Sequence, residues 1–272
     1  MIKESERLAF ELCSRRIASG ELRGEGIGTY GEKRLHKTLK YYMCEDDACH
    51  EVRIASDGNA ITDPSIKEKR AESGRGGFIA DIFKDGKIIE IQTGGFYPLK
   101  PKIEFYLGNT DYEVTVVHPV AATKWVTWID PQDGSLSKRS KSPKKGVASD
   151  LLSELFWLSD SLSSERLRFK ILFFEMEEYR LLDGWSKDRK RGSNRYDRVP
   201  VELLDILEFK ASEYAQFLVP QGLPDEFTAT EFSKLTKLKG RKLSYALKLL
   251  CNTGAIERGE KQGRSYVYHN KI

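Results

Sequence analysis

The sequence predicts a mixed α/β protein that ends in a smaller helical module, and three observations carry that prediction. Two Ile- and Phe-rich runs, Gly77–Phe83 and Ile88–Thr93, are joined by Lys84-Asp85-Gly86-Lys87, the signature of a β-hairpin closed by an Asp-Gly turn. Helical patterning lies on both sides of that hairpin, and Tyr112–Val120 is a near-continuous apolar run ended by its proline, Pro119, as a buried strand parallel to its neighbour would be. From Thr228 onward, helix, turn, helix and hairpin follow in quick succession. At 272 residues, 39% hydrophobic and 32% charged, the chain has apolar material for a substantial core. It contains no apolar run of about eighteen residues, so the expectation is a cytoplasmic chain with no membrane partner.

Residues 3–19 carry Leu8, Leu12 and Ile17 among charges and stop at Gly20, as a helix end would. A glycine-rich link through Gly24, Gly26 and Gly28 leads to a second helix over 30–43, with Leu35, Leu39 and Tyr42 as its apolar stripe. Glu51–Ile54 is predicted as the first strand. The polar stretch 55–76, with Lys67, Lys69, Arg70 and Arg75, suits a loop at the mouth of a site, or a solvated one. After the hairpin, Pro98 and Pro101 favour a helix entrance, because proline's missing N–H costs nothing in a first helical turn. The order is then helix, strand, hairpin, helix, strand.

The turn also fixes the register. With Asp85 and Gly86 as the loop, Lys84 faces Lys87, Phe83 faces Ile88, Ile82 faces Ile89 and Asp81 faces Glu90. Cross-strand partners have Cβ atoms roughly 4.5 to 5.5 Å apart, so two carboxylates there repel one another. A divalent cation between them would remove the conflict. Gln92 shares the Glu90 face, one pleat along. Four cysteines, at 13, 44, 49 and 251, are too few and scattered for a disulfide framework. Cys44, Cys49 and His50 lack the paired spacings of a structural zinc site, and free thiols are the reading.

Asp81, then Glu90-Ile91-Gln92, resembles the core motif of the PD-(D/E)XK, restriction-endonuclease-like nucleases, with Gln92 where that motif has lysine. The runs Gly31-Glu32-x-x-Leu35-His36, Glu51-Val52-x-Ile54, Ala80-Asp81-Ile82, Ile89–Thr93, Leu99-Lys100-x-Lys102 and Val116–Pro119 resemble an uncharacterised bacterial family of that superfamily. So do Lys124-Trp125 and the Lys141-Ser142-Pro143-Lys144 turn. The resemblance implies a restriction-endonuclease-like mixed-sheet core (αβββαβ) with a C-terminal winged-helix domain. It also implies Mg²⁺ (or Mn²⁺) held by Asp81 and Glu90 and hydrolysis of phosphodiester bonds in DNA. Glu32 would assist, Gln92 would orient the attacking water, and Lys102 would supply the charge that Gln92 lacks. Glu32 is equally a first-turn acid favoured by the helix dipole. His36, one turn from Glu32, is either a helix-surface histidine or an orienting group. A catalytically inactive, nuclease-fold DNA-binding or regulatory protein is the alternative.

Further on, Trp125–Ile129 is predicted as a strand, and Lys138, Arg139, Lys141, Lys144 and Lys145 form a basic run that either grips a phosphate backbone or is solvated. A helix is predicted over 148–162 and an amphipathic strand over Leu167–Phe173. Glu175, Glu177 and Glu178 would then be structural, or paired with the basic stretch Lys187–Arg191. Residues 201–218 carry helical periodicity, and Thr228-Ala229-Thr230-Glu231 is a capping box. The division is therefore 1–28, N-terminal helix and linker; 29–200, nuclease-like core; 201–272, winged helix. In the last, Leu243, Ala246, Leu247 and Leu250 face inward, while Arg241, Lys242, Tyr245 and Lys248, with Lys261 and Arg264 on the wing, would meet double-stranded DNA. Such modules also dock proteins. Net charge of +4 permits a nucleic-acid partner, and a homodimer is compatible with the pattern.

Overall fold

The structure, a computed structural model, describes residues 2–20, 34–62 and 76–272. The chain opens with α1 (Glu4–Ser19), stopped by Gly20 at φ 80°, and α2 (Arg34–Met43). Strands β1 (His50–Ile54), β2 (Ala60–Ile61), β3 (Phe78–Lys84) and β4 (Lys87–Ile91) follow, then α3 (Lys100–Asn109) and β5 (Glu113–Ile129). Next come β6 (Ser140–Lys141), a mostly 3₁₀ run over 148–161 enclosing α4 (Leu152–Leu155), β7 (Leu167–Leu181), β8 (Arg195–Lys210) and α5 (Tyr214–Leu218). The chain closes with β9 (Glu226–Thr228), α6 (Ala229–Thr236), α7 (Gly240–Asn252), β10 (Ile256–Gln262) and β11 (Ser265–Asn270).

Among the described residues, the main sheet runs β2-β1-β3-β4-β5-β7-β8, with β6 on the distal part of β5. It is mixed: β4, β5 and β7 are parallel and the remaining pairs antiparallel. This large mixed sheet makes the protein mixed α/β, as predicted. Helices cover both faces, so Val114, Val116 and Val117 of β5 are all buried despite alternating sides. One apolar cluster joins β5 and β7 to α3, the 148–162 run and the C-terminal module; another joins Phe10 of α1, Leu35 and Leu39 of α2, and Phe174. The hairpin keeps three of the predicted pairs, Ile82 to Ile89, Phe83 to Ile88 and Lys84 to Lys87, because Asp85 and Gly86 both take positive φ (50° and 71°) as the two-residue turn requires; the expected fourth pair, Asp81 with Glu90, is not part of the ladder, and the Ile91 N–H donates to the Asp81 carboxylate instead. At the start of β3, Gly77 has φ 91°, and a Cβ there would stand 2.1 Å from the Ile54 carbonyl oxygen.

Three expectations change. In α1, Leu8 and Leu12 are 55% and 56% exposed; Phe10 and Cys13 are the buried pair, Phe10 lying 4.8 Å from the Phe174 ring. Pro119 does not end its strand, which continues to Ile129 and absorbs the separately predicted Trp125–Ile129. Val117 faces β4, since its carbonyl accepts from the Gln92 N–H, so Pro119 two residues on faces the same side where β4 has already ended at Ile91. No ladder hydrogen bond is lost there.

Residues 201–218 are not one helix but the second half of β8, a short 3₁₀ turn and α5. Bulges in β8 opposite Phe173/Phe174 and Glu175/Met176 advance the pleat, so Pro200, Leu203 and Ile206 pack inward at intervals of three and imitate helical spacing. The predicted division at residue 201 thus falls inside a strand. Of the two readings of the acid cluster the structural one fits: Glu175 and Glu177 pair with Arg139 (3.3 and 2.9 Å) and Glu178 with Lys124, Arg180 and Arg195. Lys124 on β5, Arg180 on β7 and Arg195 on β8 come from neighbouring strands, and Arg139 comes from the segment between β5 and β6.

In the C-terminal module, β9, β10 and β11 form a three-stranded antiparallel sheet. The capping box forms as predicted: Glu231 N–H donates to Thr228 Oγ1 (3.3 Å) and Thr228 N–H to Glu231 Oε2 (2.7 Å). Helix α7 buries Ala246, Leu247, Leu249 and Leu250, with Leu243 half-buried. Leu249 joins the expected face because α7 also packs against the 148–161 run. All four cysteines are free.

Candidate functional site

A cavity of about 330 Å³ opens at the C-terminal end of β4. His36, Asp81, Glu90, Gln92, Thr93 and Lys102 line it, together with backbone and apolar neighbours. Three elements supply these groups. The hairpin supplies Asp81 and Glu90, just beyond its paired residues; α2 brings His36; and α3, entered through Pro98 and Pro101, presents Lys102 and, one turn later, Tyr106 on the same helical face.

Glu90 is 3% exposed and each of its oxygens accepts a hydrogen bond: Oε2 from Lys102 Nζ at 2.7 Å and Oε1 from Tyr106 Oη at 2.8 Å. Asp81 Oδ2 accepts from the Ile91 N–H at 2.7 Å and lies 3.4 Å from His36 Nε2. The predicted repulsion is therefore shared out, since each acid has its own donors. It is still felt: burial first, then the Asp81 charge, push the Glu90 pKa up to about 7, against the pull of Lys102 and Tyr106. Burial would also raise Asp81, but the hydrogen bond and charge of His36, the charge of Lys102 and the Ile91 N–H outweigh it and leave that pKa lowered. One carboxylate is thus held ionised while its neighbour titrates near neutrality, a divergence typical of functional sites. Burial, and then Glu90, also raise the Tyr106 pKa, so the phenol stays a donor.

The loop after β4 is pinned from several sides. Gln92 Nε2 donates to the Gly95 carbonyl at 2.5 Å, Glu154 Oε2 accepts from the Phe96 N–H at 3.1 Å, and Arg198 donates to the Thr93 carbonyl at 3.2 Å. His118 Nδ1 lies 2.6 Å from the Gln92 carbonyl. Burial pushes the His118 pKa down to about 4, so this ring is neutral at pH 7.

Of the sequence-predicted site residues, Asp81, Glu90, Gln92 and Lys102 meet in this cavity. Glu32 and the loop cations Lys67, Lys69, Arg70 and Arg75 lie outside the described residues. Arg241, Lys242, Lys248, Lys261 and Arg264 are exposed. Tyr245 is half-buried: it stacks on Phe156 (ring centroids 4.9 Å apart, 6° between planes) and meets Trp157 edge-on at 5.4 Å. An exposed helical tyrosine and one docked on a neighbouring helix look alike in sequence. Tyr106, Glu154 and Arg198 went unpredicted. The four-residue spacing from Lys102 to Tyr106 was the one local signal, whereas Glu154 and Arg198 arrive from distant elements.

Among the described residues no group of three or more His, Cys, Asp or Glu is arranged to hold a metal ion. Two carboxylates are present, both recorded bonds of Asp81 go to Oδ2, and each Glu90 oxygen accepts only one donor. Such hard oxygen donors fit Mg²⁺, which keeps several waters and takes one or two protein carboxylates. Lys102 would share Glu90 with it.

Fold and cavity define a mixed α/β protein with a paired-carboxylate, lysine-bearing site at the end of a parallel strand. The chain belongs to the family described as "Domain of unknown function (DUF8091)", whose model matches residues 63–210 and so takes in β3–β8 and the cavity's carboxylates. It is also similar to an "Uncharacterized protein" of Treponema pallidum (strain Nichols), 27% identical over 246 residues, covering 90% of this chain and 88% of the relative. No solved structure matches. Among the described residues, no helix is long and apolar enough to cross a membrane.

Proposed function

We propose that the protein is a Mg²⁺-dependent (or Mn²⁺-dependent) endonuclease hydrolysing phosphodiester bonds in DNA, with a restriction-endonuclease-like core and a C-terminal winged helix that binds the duplex. The observation that supports it most is the convergence of Asp81, Glu90, Gln92 and Lys102 in one cavity, with Lys102 Nζ 2.7 Å from Glu90. Helix α2, strands β1, β3 and β4 with the two-residue β2 among them, α3 and β5 follow one another along the chain, as do α6, α7 and the β10–β11 hairpin, and both successions support this reading.

In this reading Asp81 and Glu90 hold the ion, which supplies Lewis acidity and a lowered pKa for water. Asp81, kept ionised by His36 and Ile91, anchors it. Lys102 stands where lysine of the motif is missing and offers an ammonium to the charge developing on phosphate. Gln92, its Nε2 tethered to Gly95, presents its amide oxygen to a water proton. Arg241, Lys242 and Lys248 on α7 and Lys261 and Arg264 on the hairpin contact phosphates.

Plasmid incubated with Mg²⁺ or Mn²⁺ tests this. Cutting by the wild type, abolished in Asp81→Ala and reduced at least a hundredfold in Lys102→Ala, is expected. Equal cutting by all three proteins would betray a contaminant and sink the assignment. The second reading, a catalytically inactive nuclease-fold DNA-binding or regulatory protein, is favoured by Gln92 at the lysine position and by the Lys102 and Tyr106 donors that already hold Glu90; it predicts binding with no cutting.

A further inference from the structure

Glu178, 2% exposed, lies in the distal half of the main sheet, and three cations share it: Arg180 at 3.2 Å and Lys124 and Arg195 at 3.4 Å each. One buried carboxylate neutralises one of them, so the cluster keeps two positive charges. Arg180 is fixed further by Ser193, donating to its hydroxyl (3.2 Å) and carbonyl (2.8 Å). The line of charge extends both ways. Towards the cavity, Arg198 donates to the carbonyl of Thr93, which lines the cavity wall. Burial, and then the Arg195 charge, lower the Arg198 pKa against the pull of Glu178 and Asp197. Away from the cavity, Arg180 and Lys190 both lie over the Trp128 ring, at 5.6 and 5.7 Å.

Cations crowded without matching acids repel one another, and an anionic ligand relieves that cost. The surplus is regional. Residues 121–145 and 174–200 hold thirteen Lys and Arg against eight Asp and Glu, an excess larger than the +4 of the whole chain. Trp185 and Tyr196, 77% and 64% exposed, lie within a few residues of Lys190 and Arg195 in sequence.

We propose that the track from Lys190 through Arg180, Arg195 and Arg198 binds the phosphodiester backbone of a nucleic acid and leads it to the cavity of Asp81 and Glu90. Repeating phosphates match a row of cations, whereas a single small anion would engage one or two. The direction of travel rests on the endonuclease reading; the binding does not.

Fluorescence anisotropy with a labelled duplex oligonucleotide, in EDTA so that nothing is cut, tests the track. An Arg195→Gln/Lys190→Gln protein is expected to bind at least tenfold more weakly, with its salt slope shallower by about two, since each lost phosphate contact removes ~0.9. The charge-preserving Arg195→Lys/Lys190→Arg protein should recover most of the affinity. Lys190→Glu alone, at an exposed loop position away from the buried Glu178, gives a second measurement should the double variant fold poorly. Wild-type affinity in Lys190→Glu and in a folded double variant would overturn the track while leaving the endonuclease reading intact. An absence of wild-type binding even at low salt would overturn it as well. Track-dependent binding without metal-dependent cutting would uphold the track and remove the endonuclease.

Discussion

Replacing Glu90 by Gln should flatten the stability profile of the metal-free protein between acid and neutral pH. Burial, and then Asp81, raise the Glu90 pKa from 4.5 to about 7 in the folded state. Below the unfolded value the carboxyl is protonated in both states, and its contribution to stability is fully present. Between the two values the unfolded chain releases the proton and the folded chain retains it, so stability falls as pH rises and the loss is complete above the folded pKa. At 1.36 kcal/mol for each pH unit, a gap of about 2.5 units amounts to ~3 kcal/mol. The Gln amide is close in shape and does not titrate. Denaturant unfolding in EDTA, run in steps from pH 4.5 to pH 8, measures both proteins. The stability difference, wild type minus Glu90→Gln, should decline by ~3 kcal/mol over that range. Parallel profiles would show that Glu90 ionises as freely in the fold as in the open chain, and the account of Asp81 and Glu90 as electrostatically opposed neighbours would be wrong.

Tyr106→Phe removes the donor to Glu90 Oε1 and leaves a buried acceptor unmet; a loss of about 1–3 kcal/mol in thermal or denaturant unfolding is expected, with the Glu90 midpoint moving further up. Phe10→Ala empties the seam between α1, Tyr42 and Phe174 and should lower stability by about 3–5 kcal/mol, with amide exchange fastest in α1.

Much of the fold could be read locally. Asp85-Gly86 admits essentially one kind of turn, and that turn alone fixed which β3 residue faces which β4 residue. Pro98 and Pro101 announced α3, and Thr228 with Glu231 announced α6, because caps and proline act within a few residues of themselves. The candidate site was legible to the same extent: Asp81, Glu90 and Gln92 come from one hairpin, and Lys102 from the next helix.

What the sequence by itself determined, then, is the hairpin register, the helix starts and the two acids placed together, all set by interactions between near neighbours along the chain. Tertiary structure alone decided the rest. The bulged ladder against β7 turned residues 201–210 into strand, because paired backbone outweighs a weak helical period. Docking on Phe156 covered one face of the Tyr245 ring, and burial of Glu178 gathered Lys124, Arg180 and Arg195 from three strands. Likewise, Glu90 owes its raised pKa to the packing that removes water from it, and dehydration is a property of the whole surrounding shell rather than of any stretch of sequence.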